Sequence, residues 1–190
     1  MTPLHDSLLE SVAAAAVREG LADAVFTRLS TPVGRLLVVQ GERGVVRVSF
    51  PEEPEDHVLA EIASGLGPRI VGSNRELATT REALEAYFEG EGDPHDLPVD
   101  LSLVHAPFRR AVLETLHDQV GRGEVVTYGA LALRAGNPRA FRAAATACAR
   151  NPIPIVVPCH RVLPVSGGIG EYGGGRERKR ALLELEGSLR

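Results

Sequence analysis

Apolar and polar residues change their period twice along this chain. Residues 8–17 are Ala-rich and helix-compatible, with Asp6 or Ser7 placed to cap them. From Val25 the period becomes that of strands, in three β-rich runs at residues 25–29, 36–39 and 45–50. Short turns at Thr31-Pro32-Val33-Gly34 and Gly41-Glu42-Arg43-Gly44 separate the runs, which predicts an antiparallel meander. Short helices are predicted at 58–66 and 82–88, and the Gly/Asp/Pro-rich stretch 89–98 reads as a linker. Beyond it the pattern is helical. Pro107 suits a first helical turn, and Phe108, Val112, Leu113, Leu116 and Val120 repeat at helical spacing. Residues 128–135 predict a second helix ended by Gly136, and Asn137-Pro138 predicts the start of a third that runs to Arg150. Two short helices joined by a Gly-Asn-Pro turn fit either a helix-turn-helix or an ordinary helical hairpin.

The expected fold class is therefore mixed α/β, of the α+β kind. Residues 1–23 form a helical extension, 24–95 an N-terminal antiparallel-sheet domain with helices, and 104–190 a mainly helical domain. A hydrophobic share of 44% excludes a disordered chain, and no apolar run reaches the ~18 residues that a membrane span needs. The net charge of -4 argues at first against a nucleic-acid partner. Charge is uneven, however: residues 1–100 carry a net -10 and residues 101–190 a net +6. The basic half either faces a polyanion or is one of two solvated surfaces that differ.

Two cysteines, Cys148 and Cys159, are too few for a disulfide framework. With no basic-plus-apolar leader, they predict a cytoplasmic protein with free thiols. Residues 137–150 combine Arg139, Arg142 and Arg150 with six alanines, Ala140 among them. Small side chains allow close approach to DNA or to protein, and arginine supplies phosphate contacts or a wedge into a base stack. The apolar run Ile153-Pro154-Ile155-Val156-Val157 predicts a buried strand that ends in Pro158-Cys159-His160-Arg161-Val162. A thiol displayed there gains reactivity if an imidazole or guanidinium lowers its pKa, with His160 acting directly or through a water. The bland reading is a buried structural cysteine beside a surface histidine. No other Cys or His falls at a ligand spacing, so no metal is expected. Gly168-Ile169-Gly170-Glu171-Tyr172-Gly173 matches a dinucleotide fingerprint only formally, since no βαβ unit follows it. Glu186, at the end of a Leu-rich helix, opposes the helix dipole, which suggests a partner such as His160 or a solvated end.

The stretch Asn151-Pro152-Ile153-Pro154-Ile155-Val156-Val157-Pro158-Cys159-His160-Arg161-Val162 resembles the active-site segment of the O6-alkylguanine-DNA alkyltransferases, the methylated-DNA–protein-cysteine methyltransferases. The similarity runs from about Pro107 to Gly187 and includes Gly123-Glu124-Val125-Val126-Thr127-Tyr128 and Gly136-Asn137-Pro138. Thr31-Pro32-Val33-Gly34 is similar to the family's N-terminal hairpin; the first twenty or so residues are not covered. The resemblance implies irreversible transfer of an alkyl group from O6-alkylguanine in duplex DNA to Cys159, after minor-groove binding and base flipping. It implies that His160 is a water-mediated base oriented by Glu186, and that Asn151 braces the active-site turn. Tyr128 turns the target phosphate and bonds the base, Tyr172 walls the pocket, and the carbonyls of Cys159 and Val162 read the exocyclic amine. Arg142 fills the gap in the stack, with Arg139, Ala140 and Phe141 beside it on the DNA face. Double-stranded DNA is the implied partner of a monomer, with no cofactor and no membrane. Other readings are a non-catalytic alkyltransferase-like DNA-damage binder, a helix-turn-helix regulator and a Cys-His hydrolase. Three features depart from the family pattern: Gly121-Arg122, which predicts a looser turn, Phe141 in place of a small residue, and Glu171.

Overall fold

The computed structural model describes the backbone of residues 3–189 and the side chains of residues 7–189. By its internal packing the chain divides into two compact units, Met1–Glu85 with Leu97–Asp100, and Ala86–Asp96 with Leu101–Arg190. The chain thus passes between the units three times, not once at the linker that the Gly/Asp/Pro-rich stretch suggests.

In the first unit, α1 (Pro3–Arg18) precedes β1 (Ala24–Thr31), β2 (Gly34–Gly41) and β3 (Gly44–Ser49). The helix starts about a turn before Ser7, because proline is compatible with a first helical turn. The side chain of Asp6, the other expected cap, lies outside the described residues. The three strands form the expected meander: Thr31 faces Gly34 across the first hairpin and Gly41 faces Gly44 across the second. After α2 (Glu55–Gly65), β4 (Ile70–Gly72) adds in parallel to the free edge of β1, giving the order β3-β2-β1-β4. At three residues β4 is too short to leave a periodic signal. α3 (Ala78–Phe88) begins earlier than its sequence pattern indicates, and its last residues, from Ala86 on, belong to the second unit. Leu36, Val38, Val45 and Val48 from the sheet are buried with Val58 and Ile62 of α2 and Leu77 and Leu84 nearby.

The second unit contains α4 (Pro107–Gln119), β5 (Val126–Thr127), α5 (Tyr128–Arg134), α6 (Phe141–Ala149), β6 (Val162–Leu163) and α7 (Arg176–Leu185). Thr127 caps α5 with its hydroxyl, which accepts the amide of Ala130 at 3.1 Å. α6 starts at Phe141 and not at Asn137-Pro138. The Asn137 side chain accepts the Arg139 amide at 3.3 Å and its carbonyl accepts the Ala140 amide at 3.0 Å. These bonds close a turn where the sequence pattern predicts a helical start. β5 and β6 pair in parallel, Val126 opposite Val162. This brings the start of α5 beside the segment that follows Cys159. Val112, Leu113 and Leu116 of α4, Leu131, Ala144, Ala147, Ile153, Val156, Leu182 and Leu183 form the core. Among the described residues no helix is long and apolar enough to cross a membrane.

Gly44 shows how tightly the first unit closes. Its φ is +134°, and a Cβ there would lie 2.3 Å from the carbonyl oxygen of Pro98. Gly44→Ala is expected to cost about 2–3 kcal/mol, read as a lower urea midpoint. An unchanged midpoint would contradict this close approach.

Candidate active site

The run before Cys159 is buried, but it is a turn and not a strand. Prolines at 152, 154 and 158 remove the amides that a ladder needs. Instead the Val157 amide bonds the Ile153 carbonyl at 2.8 Å, and fully buried Ile155 takes a φ of +78°. A β-branched residue in that region is strained, so the surrounding packing must hold it there. Asn151 supplies part of that hold. Its Oδ1 accepts the Ile153 amide at 3.0 Å, and its Nδ2 donates to the Val157 carbonyl at 2.7 Å and to Cys159 Sγ at 3.1 Å.

Residues Cys159–Arg161 form one 3-10 turn, whose amides bond back to Val157 and Pro158. Cys159 is only 4% exposed, and burial pushes its thiol up to about 11, against the Asn151 amide and the charge of Lys179. The sequence-based expectation of a depressed thiol pKa is thereby corrected. Desolvation outweighs the nearby donors, and the resting group is a thiol.

An imidazole is next to it in the chain. His160 is fully buried, and its Nε2 lies 2.8 Å from Glu186 Oε1. Burial lowers the imidazole pKa and the Glu186 carboxylate raises it in opposition, with a net shift down. Burial raises the Glu186 pKa, but hydrogen bonds from His160 and Arg161 more than offset it and bring the group down to about 2. A carboxylate only accepts, so Nε2 carries the proton and donates. Nδ1 is then a bare lone pair, buried with no hydrogen-bond partner of its own.

Glu186 ends α7, where a negative charge is unfavourable with respect to the helix dipole. Four donor groups offset this. Oε1 accepts from His160 Nε2, from Tyr87 Oη at 2.8 Å and from Arg161 Nη2 at 2.8 Å, and Oε2 accepts from Arg161 Nε at 3.0 Å. Arg161 also donates to the Val120 carbonyl at 2.7 Å and to Asp93 Oδ1 at 2.9 Å. Lys179, buried too, donates to the Val162 carbonyl at 2.7 Å. The Cys159 carbonyl accepts the Val162 amide. Each of these two carbonyls keeps a second lone pair.

Asn151 and Cys159 thus form one contact and His160 and Glu186 another, joined through the backbone of the Cys159–Arg161 turn. The Tyr172 ring stands edge-on to His160 with centroids 6.4 Å apart. Tyr128, at the first position of α5, is partly buried and its phenol is pushed up to about 12, first by burial and then by the two cysteines. Arg139, Phe141 and Arg142 form a separate exposed group, with Ala140 at the N-cap of α6 and the Arg142 guanidinium 5.6 Å from the Phe141 ring centre. Arg139 and Ala140 lie in the turn before α6 and not on the helix as expected. Ala144, Ala147 and Cys148 turn the opposite face of α6 inward. Among the described residues no group of three His, Cys, Asp or Glu is arranged to hold a metal.

Tyr87, Asp93, Arg122, Arg161 and Lys179 have no counterpart in the sequence-based set. Arg122, expected to loosen its turn, donates to the carbonyls of Gly92 at 2.6 Å and Leu185 at 3.2 Å. Long flexible side chains make such bonds to backbone groups without leaving a sequence motif.

Two family patterns match the chain. One is the 6-O-methylguanine DNA methyltransferase DNA binding domain, over residues 107–188. The other is the ribonuclease-like domain of the same family, over residues 24–101. A methylated-DNA–protein-cysteine methyltransferase from Haemophilus influenzae is 34% identical over 166 residues, covering 85% of this chain and 85% of the relative. The human protein of that name is 35% identical over 168 residues, covering 85% and 79%. A crystal structure of Mycobacterium tuberculosis OGT in complex with DNA superimposes with a TM-score of 0.71 at 33% identity, covering 86% of this chain and 93% of that one.

The Glu186 pKa carries a test. Because it is depressed on folding, its contribution to stability is complete above about 4.5 and is lost as pH falls toward about 2. Glu186→Gln is expected to cost about 3–5 kcal/mol at neutral pH and to flatten the stability–pH curve in that acid window. Chemical denaturation at several pH values measures both; an equally steep acid slope in the variant would contradict the assignment.

Proposed function

From the premise that the chain belongs to the 6-O-methylguanine DNA methyltransferase family, we propose that Cys159 is the residue that takes the alkyl group. The family's activity, DNA repair by transfer of a methyl group to a protein cysteine, is this chain's activity, and DNA is its partner. The observation that carries the assignment is the Asn151–Cys159 contact, adjacent in the chain to a buried His160–Glu186 pair in which His160 Nδ1 is unpaired.

The substrate is O6-alkylguanine in a duplex. Nδ1 of His160 takes the thiol proton through one water, and Glu186 stabilises the imidazolium that forms. The thiolate attacks the alkyl carbon; the C–S bond forms as the C–O bond breaks, and the electron pair leaves with the guanine. The Tyr128 phenol, held protonated, donates to the base as that charge develops. Protonation of the departing guanine and loss of the proton from His160 complete the balance. The product thioether is neutral and has no route back, so each molecule reacts once. Asn151 keeps Sγ aimed by bonding both it and the turn.

Access to the base is the task of α5 and α6. The helix pair enters the minor groove, Arg142 occupies the place of the flipped guanine, and Arg139, Ala140 and Phe141 lie against the strand. Tyr172 walls the pocket, and the free lone pairs of the Cys159 and Val162 carbonyls accept the exocyclic amine. The protein acts as a monomer.

Incubation with a duplex containing O6-methylguanine is expected to add one methyl per molecule, by intact-protein mass, located on Cys159 and absent from Cys159→Ser. Binding of the duplex with no mass change would replace this reading by that of a non-catalytic damage binder. Arg142→Ala is expected to slow repair of the duplex by at least about tenfold while transfer from the free base stays within about twofold. Equal losses on both substrates would remove the finger role.

A further inference from the structure

The geometry points to Tyr87, held by Arg122, as a positioning residue that shares the Glu186 carboxylate with His160 and thereby sets how basic His160 is. The inference rests on the alkyl-transfer reading above and deepens it. Donors of three residues converge on the single oxygen Glu186 Oε1: His160 Nε2, Arg161 Nη2 and the Tyr87 hydroxyl, each at 2.8 Å, with Arg161 Nε farther off at 3.2 Å. Donors that share one oxygen each draw on the same electron density. The strength of the His160 bond therefore depends on whether the tyrosine is present.

Tyr87 is fully buried, and burial with the neighbouring Glu186 charge keeps its phenol far above the ordinary tyrosine range. It stays a donor at every working pH. Its ring is fixed on two sides, by Phe88 edge-on at 5.1 Å and by the Arg122 guanidinium at 5.3 Å from the ring centre. The same guanidinium bonds the carbonyls of Gly92 and of Leu185, the residue before Glu186. One side chain thus fixes the tyrosine, the backbone of the Ala86–Asp96 segment and the end of α7 together.

The charged and titratable groups around the carboxylate come from every packed element. They are Tyr87 of α3, Asp93 and His95 of the following segment, and Arg122 of the loop after α4. His160 and Arg161 of the 3-10 turn and Tyr172 of the loop before α7 complete the set. Of these, only His160, Arg161 and Tyr87 bond the carboxylate directly through side-chain atoms. Arg161 is anchored separately by Asp93 and the Val120 carbonyl. Loss of the tyrosine hydroxyl therefore falls on the His160 bond. With one competitor gone, Oε1 binds the Nε2 proton more strongly and favours the imidazolium. The base is then protonated at higher pH, and the acid limb of the rate moves upward.

The test is the pH dependence of alkyl transfer from O6-benzylguanine as free base to Cys159, followed by intact-protein mass. Tyr87→Phe is expected to move the acid limb up by about half to one pH unit. The ratio of the rate low on the acid limb to that at pH 8 then falls about three- to tenfold. Arg122→Leu, which releases the ring and the Leu185 carbonyl, is expected to move the limb in the same direction, and it serves as the probe if Tyr87→Phe does not fold. NMR titration of the His160 imidazole reads the same upward shift without any turnover. A purely structural tyrosine would lower the rate equally at both pH values. An unchanged ratio and an unchanged His160 titration would overturn the inference while the unaltered protein still becomes alkylated. Failure of the unaltered protein to accept the group from either the free base or the duplex would remove the reaction itself, and the inference with it.

Discussion

A single buried carboxylate organises the second unit. Glu186 sits where the dipole of α7 is unfavourable to it and where water does not reach its side chain. It is tolerable there only because His160, Arg161 and Tyr87 all donate to it. Those three come from different stretches of chain, so satisfying one charge joins the end of α3, the turn after Cys159 and the C-terminus of α7. The same bonds settle the His160 tautomer: a carboxylate that cannot donate forces the proton onto Nε2 and leaves Nδ1 bare. Structural necessity and chemical readiness are one arrangement here.

The thiol is prepared by a different principle. Burial makes ionisation of Cys159 unfavourable, and the Asn151 amide and Lys179 offset only part of that cost. A resting thiolate is thereby avoided. A neutral buried thiol resists oxidation and stray electrophiles, which suits the single use proposed for Cys159. The strained backbone at Ile155 and the proline-rich turn around it give the sulfur a fixed address. Asn151 links that address to the thiol through two bonds from the same amide nitrogen.

Much of this was legible in the residues. The three strands, the helices of the second unit and the Pro158-Cys159-His160-Arg161-Val162 segment follow from periodicity, turn chemistry and motif. The His160–Glu186 pair could be anticipated from an acid placed against a helix dipole. What was not legible has physical causes. Tyr87 falls in the helix predicted over 82–88, and nothing local shows that its hydroxyl meets a carboxylate 99 residues away. The apolar run before Cys159 reads as a strand because its side chains are those of a strand; its prolines decide otherwise. Asn137-Pro138 reads as a helix start, yet the Asn137 side chain closes a turn first. Arg122 reads as a disruption and proves to be a tie, because its bonds go to backbone carbonyls that any sequence presents.

The way the chain passes between its units bears on modularity. Ala86–Asp96 precedes Leu97–Asp100, which belongs to the first unit, yet it packs with the second. A cut at the family's own pattern boundary near residue 107 would keep the cysteine, the histidine and the glutamate. It would discard Tyr87 and Asp93, which complete the bonding of Glu186 and Arg161. Motif and machinery therefore have different borders. Any exchange of halves among relatives, by recombination or by hand, would have to carry this eleven-residue segment with the C-terminal half. Otherwise the recipient would inherit the cysteine and its histidine without the hydroxyl and carboxylate that complete the bonds of Glu186 and Arg161.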